Sequence, residues 1–177
     1  MRALDVRNMT IGALLLALSL IIPLALGGVL GVVMGPFSAT LASHVPLMIS
    51  MLFGPWVAGV VALGSAIGFF LRLGPVIGLR AAMHIPVGIA GALLLKKRVS
   101  YPLVLAVTGP IHALLEGLIV QPFLMYGNSM LYGESQPLAL FSLVGGGTLL
   151  HHAMDAVIAV FCWRIMRVFQ SRLNCKQ

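Results

Sequence analysis

Apolar runs near the length of a bilayer crossing follow one another from about Met9 to Phe169, parted by Gly–Pro turns or short polar loops. Nothing else restricts the fold as strongly. Charged residues make up 8% of the chain, a third of the ~25% usual in a soluble domain, which leaves too little polar surface to face water. At about 20 residues per span, the 177 residues have room for six helices and little else. The expectation is an all-α integral membrane protein: one domain over residues 1–177, a bundle of six transmembrane helices.

The expected spans are Met9–Leu30, Ala39–Phe53, Trp56–Leu71, Val76–Leu95, Pro102–Tyr126 and Leu138–Phe169, with turns at Gly35–Pro36, Gly54–Pro55 and Gly74–Pro75. The second span holds His44 and Pro46. The first run has no small-residue cleavage site after it and reads as a retained helix.

Eleven Lys and Arg stand against four Asp and Glu, a formal charge of +7. The basic residues cluster as Arg2 and Arg7, as Lys96, Lys97 and Arg98, and as Arg164, Arg167, Arg172 and Lys176. Six spans put all three groups on one side, so they read as topology signals rather than a nucleic-acid surface, with both termini cytoplasmic. Arg72 and Arg80 fall on the opposite side, against the rule. The two cysteines, Cys162 and Cys175, form neither a metal-ligand spacing nor a disulfide framework.

Ionisable residues inside spans are costly and by default functional. Arg80 and His84, four apart in GLRAAMH, share one helix face; they line a ligand cavity, or Arg80 snorkels to the interface and His84 bonds to a carbonyl. His112 and Glu116 repeat the spacing on the fifth span, with Glu116 placed for Arg80 to neutralise. In HHAMD, His151 and Asp155 share a face. His151 and His152 diverge by about 100°, so a polar lock or cavity lining is favoured over a metal site. Ala13 and Ala17 form a small-xxx-small pair that admits a close helix, inside the bundle or from a partner. Aromatic residues are 7% of the chain, few to sandwich a flat ligand, and the glycine-rich spans leave room for a bulky one. No Walker A loop, GxSxG or HExxH is present, so the chain is not expected to be an enzyme or to hydrolyse ATP. The competing class is a small intramembrane enzyme using His112 and Glu116, or His151, His152 and Asp155.

The order of these features resembles the substrate-binding S-components of energy-coupling factor (ECF) vitamin transporters. The matching stretches are GALLLA after the basic N-terminus, FSATLASHVPLMISMLFGP, LGSAIGFFL followed by GLRAAMH, and GGTLLHHAMD. The family's AxxxA motif falls on Ala13 and Ala17, which implies docking there against an ECF transmembrane coupling subunit that works with two cytoplasmic ATPase subunits. The resemblance further implies a multi-pass protein of a prokaryotic cell membrane and a vitamin site near the outer face, made by helices four to six and the outer loops. Arg80, His84, Glu116 and Asn128 fall in those segments, and His151 and Asp155 complete the expected substrate-binding set. No cofactor and no metal are expected; the vitamin is the cargo. The TLASHVP and LRAxxH patterns resemble the branch for cobalamin and niacin. Cobalamin is the expected vitamin, with niacin or pantothenate, each a carboxylate that Arg80 could pair with, as the alternative.

Overall fold

A computed structural model of the chain describes residues 6–34, 37–125 and 136–174. It is helical apart from one hairpin. The elements are α1 (Val6–Ile21, extended by a π turn over Ile22–Leu26), β1 (Gly31–Met34), β2 (Phe37–Thr40), α2 (Val45–Ser50, followed by a 3₁₀ turn Met51–Phe53), α3 (Pro55–Leu73), α4 (Pro75–Ala82), α5 (His84–Lys96), α6 (Tyr101–Ile119), α7 (Gln121–Met125) and α8 (Pro137–Asn174).

Proline and glycine set most of these boundaries. Gly54 and Gly74 take φ of 110° and 86°, a backbone region that glycine enters without a Cβ penalty. Each is followed by a proline in the first turn of the next helix, where the missing N–H costs nothing. Pro86 has no N–H for the Ala82 carbonyl, and α4 gives way to α5 at Met83. Pro23 likewise lies in the π turn that ends α1.

Among the described residues, five segments are long and apolar enough to cross a membrane: Val6–Leu26, Pro55–Leu73, Pro75–Lys96, Tyr101–Phe123 and Pro137–Phe169. The expected helical span at 39–53 is different. Its start belongs to the antiparallel hairpin, paired Gly31 to Thr40 and Met34 to Phe37, and only Val45–Phe53 is helical. Hydropathy marks this stretch as apolar, but its burial lies inside the protein. Leu47, Met48 and Met51 of the α2 segment sit at the centre of the bundle against Ala58 and Ala62 of α3, Val87 of α5 and Val104 of α6. Non-helical backbone at membrane depth is tolerated where protein encloses it.

The helices' directions follow from their close approaches. α1 and α3 run parallel: Gly64 faces Leu16, and a Cβ on Gly68 would lie 2.7 Å from Pro23 Cγ. Residues 27–34 and 37–54 therefore lie along the length of that pair, between the end of α1 and the start of α3. α6 and α8 run antiparallel, with Gly117 against Phe141 and Gly109 against His152. Arg7, Lys96–Arg98 and Arg164–Arg172 come to the same end of the bundle. The hairpin caps the other end.

Candidate vitamin-binding site

Beneath the hairpin the interior is polar. The chain has five histidines, and all five converge there with Arg80, Glu116 and Asp155, every one of them buried.

Arg80 sits one turn before the α4–α5 break and is 3% exposed. It does not snorkel. Its Nη2 donates to Glu116 Oε2 at 2.6 Å and its Nε to the same oxygen at 3.2 Å. Thr148 Oγ1 donates to that oxygen at 2.6 Å. The other oxygen, Oε1, lies 3.2 Å from His112 Nε2 and 3.7 Å from His84 Nε2. Charge-assisted bonds of this kind are what a carboxylate needs when water is excluded. The Arg80 guanidinium also lies 5.8 Å over the Phe37 ring of β2 and within 3.5 Å of Ser38 Oγ, so the hairpin closes directly on it.

Asp155, fully buried on α8, holds the turn between β2 and α2. Its Oδ1 accepts the Ala42 N–H at 2.8 Å and its Oδ2 the His44 N–H at 2.9 Å. These amides belong to no helix or strand ladder, and an unsatisfied amide at this depth would cost several kcal/mol. Ala42 is held at φ 67°, a left-handed conformation that a non-glycine residue adopts only under such constraint.

The imidazoles form a continuous cluster. His84 Nδ1 is 3.0 Å from Ser65 Oγ, and its Nε2 is 3.1 Å from His44 Nε2. His44 Nδ1 lies 3.1 Å from Asp155 Oδ2, off the line of a hydrogen bond. His112 Nδ1 is 3.2 Å from His152 Nδ1, and His152 Nε2 is 3.0 Å from the Leu105 carbonyl. His151 turns the other way, to Ser43 Oγ at 3.2 Å, as its neighbour's position on the helix requires.

Thus Arg80, His84, Glu116, His151 and Asp155 are brought into one constellation, as are His112 and His152. Asn128 lies outside the described residues. Sequence reasoning left His44 out of the site, along with the hydroxyls of Ser43, Ser65 and Thr148 and the hairpin residues Phe37 and Ser38. The signal for His44 was present in TLASHVP, a histidine in an apolar run, but no ionisable neighbour stands one turn away. Ala13 and Ala17 are not at the site. Both are exposed on α1, whereas Leu15 and Ser19 face inward. Ala13 lines an apolar groove of about 240 Å³ with Met9, Gly12 and Trp56.

The cavity enclosed by Arg80, His84, Glu116, His44 and the hairpin residues Phe37–Ala39 measures about 20 Å³, enough for one water by the ~10–15 Å³ criterion. That volume does not hold a vitamin-sized ligand in this conformation.

The chain is 37% identical over 163 residues to the niacin transporter NiaX of Lactococcus lactis subsp. cremoris (strain MG1363), an overlap of 88% of this chain and 72% of that protein. It belongs to that transporter's family. No protein-family model and no solved structure matches the chain. That relative is named a niacin transporter, and the five long apolar segments of this chain fit a membrane protein, as the S-component resemblance implies. The relative gives no support to cobalamin, the vitamin expected from the sequence. Nor do Gly147 and Gly117 open the room that the sequence argument for a bulky ligand expected of the glycine-rich spans. Gly147 gives its space to the Phe37 ring, which a Cβ there would meet at 2.5 Å, and Gly117 to Phe141.

Proposed function

We propose that the chain is the S-component of an ECF-type importer and that its vitamin is niacin. The observation that carries this reading is the identity shared with a niacin transporter across most of both chains. Five long spans support it, and a sixth crossing by the segment between the parallel helices α1 and α3 completes the proposed topology. With the basic end cytoplasmic, both termini lie inside, and the hairpin and Arg80 face outside, where a vitamin arrives.

The chemistry is that of a buried cation under a movable cover. Niacin is a pyridine carboxylate. Its carboxylate matches the planar fork of Arg80, and its ring nitrogen can accept a hydrogen bond from one of the imidazoles. Binding lifts the Phe37–Ala39 hairpin, admits the vitamin, and lets the hairpin close again over it. Release to the inside requires a partner, because this chain carries no ATPase motif. The exposed Ala13–Ala17 face of α1 offers the coupling subunit a close backbone approach, and two ATPase subunits supply the work.

The test is uptake of labelled niacin by proteoliposomes containing this chain with its coupling and ATPase subunits. ATP-dependent niacin uptake is expected. ATP-independent uptake by this chain alone would refute the assignment.

A further inference from the structure

We infer that the site also holds a divalent transition-metal ion, ligated by the Nε2 atoms of His44, His84 and His112. Each histidine offers one ring nitrogen, and three such nitrogens lie within 4.8 Å of one another. The rings make a nearly equilateral triangle, with centroids 4.7, 4.8 and 4.9 Å apart, and stand close to perpendicular, at 82°, 90° and 77°. Three imidazoles held this close in a buried cluster match the donor set of a shared transition-metal ion. An ion with ligands at ~2.0–2.1 Å in a tetrahedron sets neighbouring ligand atoms about 3.3 Å apart. His44 Nε2 and His84 Nε2 are 3.1 Å apart, and Glu116 Oε1, bordering the fourth position, lies 3.2 Å from His112 Nε2 and 3.7 Å from His84 Nε2.

The outer ring nitrogens of His84 and His112 agree. Metal-bound histidines usually direct the second nitrogen at a carboxylate, hydroxyl or similar partner that fixes the tautomer. Here His84 Nδ1 faces Ser65 at 3.0 Å and His112 Nδ1 faces His152 at 3.2 Å, while His44 Nδ1 lies 3.1 Å from Asp155 without a hydrogen bond to it.

His112 Nε2 and Glu116 Oε1 approach to 3.2 Å beside the triad, a separation that a proton or a shared metal ion can bridge. Charge bears on the same point, though this step rests on the niacin reading. The site sets one guanidinium against two carboxylates, and a divalent ion offsets the carboxylates in favour of an anionic vitamin. Three imidazoles suit zinc, cobalt or nickel rather than magnesium or calcium.

The test needs no vitamin. The tag-free chain, purified in detergent and stripped with a chelator, is titrated with Co²⁺ and followed by visible d–d absorption and by X-ray absorption at the cobalt edge. One equivalent with imidazole scattering is expected, reversed by chelator and displaced by Zn²⁺. His84→Asn and His112→Asn should each weaken binding by more than about 100-fold, beyond the 10–100-fold typical of outer-partner loss, while Cys162→Ser, outside the cluster, stays within about 3-fold of wild type. Wild-type protein that binds no Co²⁺ saturably, or whose bound cobalt shows no imidazole scattering, overturns the inference even if the variants fail to fold. So does binding that needs His151 and not His112. Niacin binding, measured separately on the same preparation, reports on the vitamin reading alone.

Discussion

Removing Arg80 separates its two roles. Arg80 makes two bonds to one Glu116 oxygen, and the side chains are 4% and 6% exposed. Truncating one partner of a buried pair costs about 3–5 kcal/mol because the other charge stays buried and uncompensated. Glu116 keeps Thr148 and His112, so Arg80→Ala should fall near 3 kcal/mol, read as a lower thermal midpoint in detergent. If the guanidinium also receives the vitamin's carboxylate, niacin binding should drop by about 2–5 kcal/mol, or roughly 30-fold to several thousand-fold in Kd. The double substitution Arg80→Met with Glu116→Gln removes both charges at similar volume and should restore most of the stability. It should not restore binding. Calorimetric titration of niacin into the single and double variants checks this. Recovery of both stability and affinity in the double variant would falsify a ligand role for Arg80 and leave the pair purely structural.

Ala13→Trp or Ala17→Trp should abolish ATP-driven uptake while niacin binding to the isolated chain is unchanged, since both positions are exposed on α1; an equal loss of binding in a titration would assign them to internal packing. Gly147→Val should push the Phe37 ring off its seat and unseat the hairpin, raising the niacin off-rate at least about 10-fold, the equivalent of ~1.4 kcal/mol, in a chase experiment; an unchanged off-rate would remove the hairpin from the gating step. Asp155→Asn keeps the volume but surrenders the charge that holds the Ala42 and His44 amides, and should destabilise the chain by about 1–3 kcal/mol; a thermal midpoint equal to wild type would show that the turn is held elsewhere.

The membrane class, most spans and the shared faces of Arg80 with His84 and of His112 with Glu116 were legible because each rests on a short-range rule, whereas the Arg80–Glu116 pairing followed from the expected topology. Hydropathy marks spans, and i,i+4 spacing marks shared faces. Residues 39–53 were misread because hydropathy reports that a segment is apolar, not whether lipid or protein surrounds it. Phe37–Thr40 became a strand by pairing with Gly31–Met34, a tertiary outcome, and α2 is short because it lies buried in the bundle's centre. His44 was missed for a related reason. Its partners, His84, His112 and Asp155, come from three other helices, and a site assembled across the fold leaves no local spacing to read. The adjacent pair His151 and His152, by contrast, could be resolved from helix geometry alone, and they do point apart.

The most direct measurement is equilibrium binding of the purified chain to niacin, pantothenate and cobalamin, each titrated under the same conditions. Saturable one-to-one binding of niacin, with pantothenate and cobalamin far weaker, is expected. Tight binding of cobalamin or pantothenate with no detectable niacin binding would contradict the assignment.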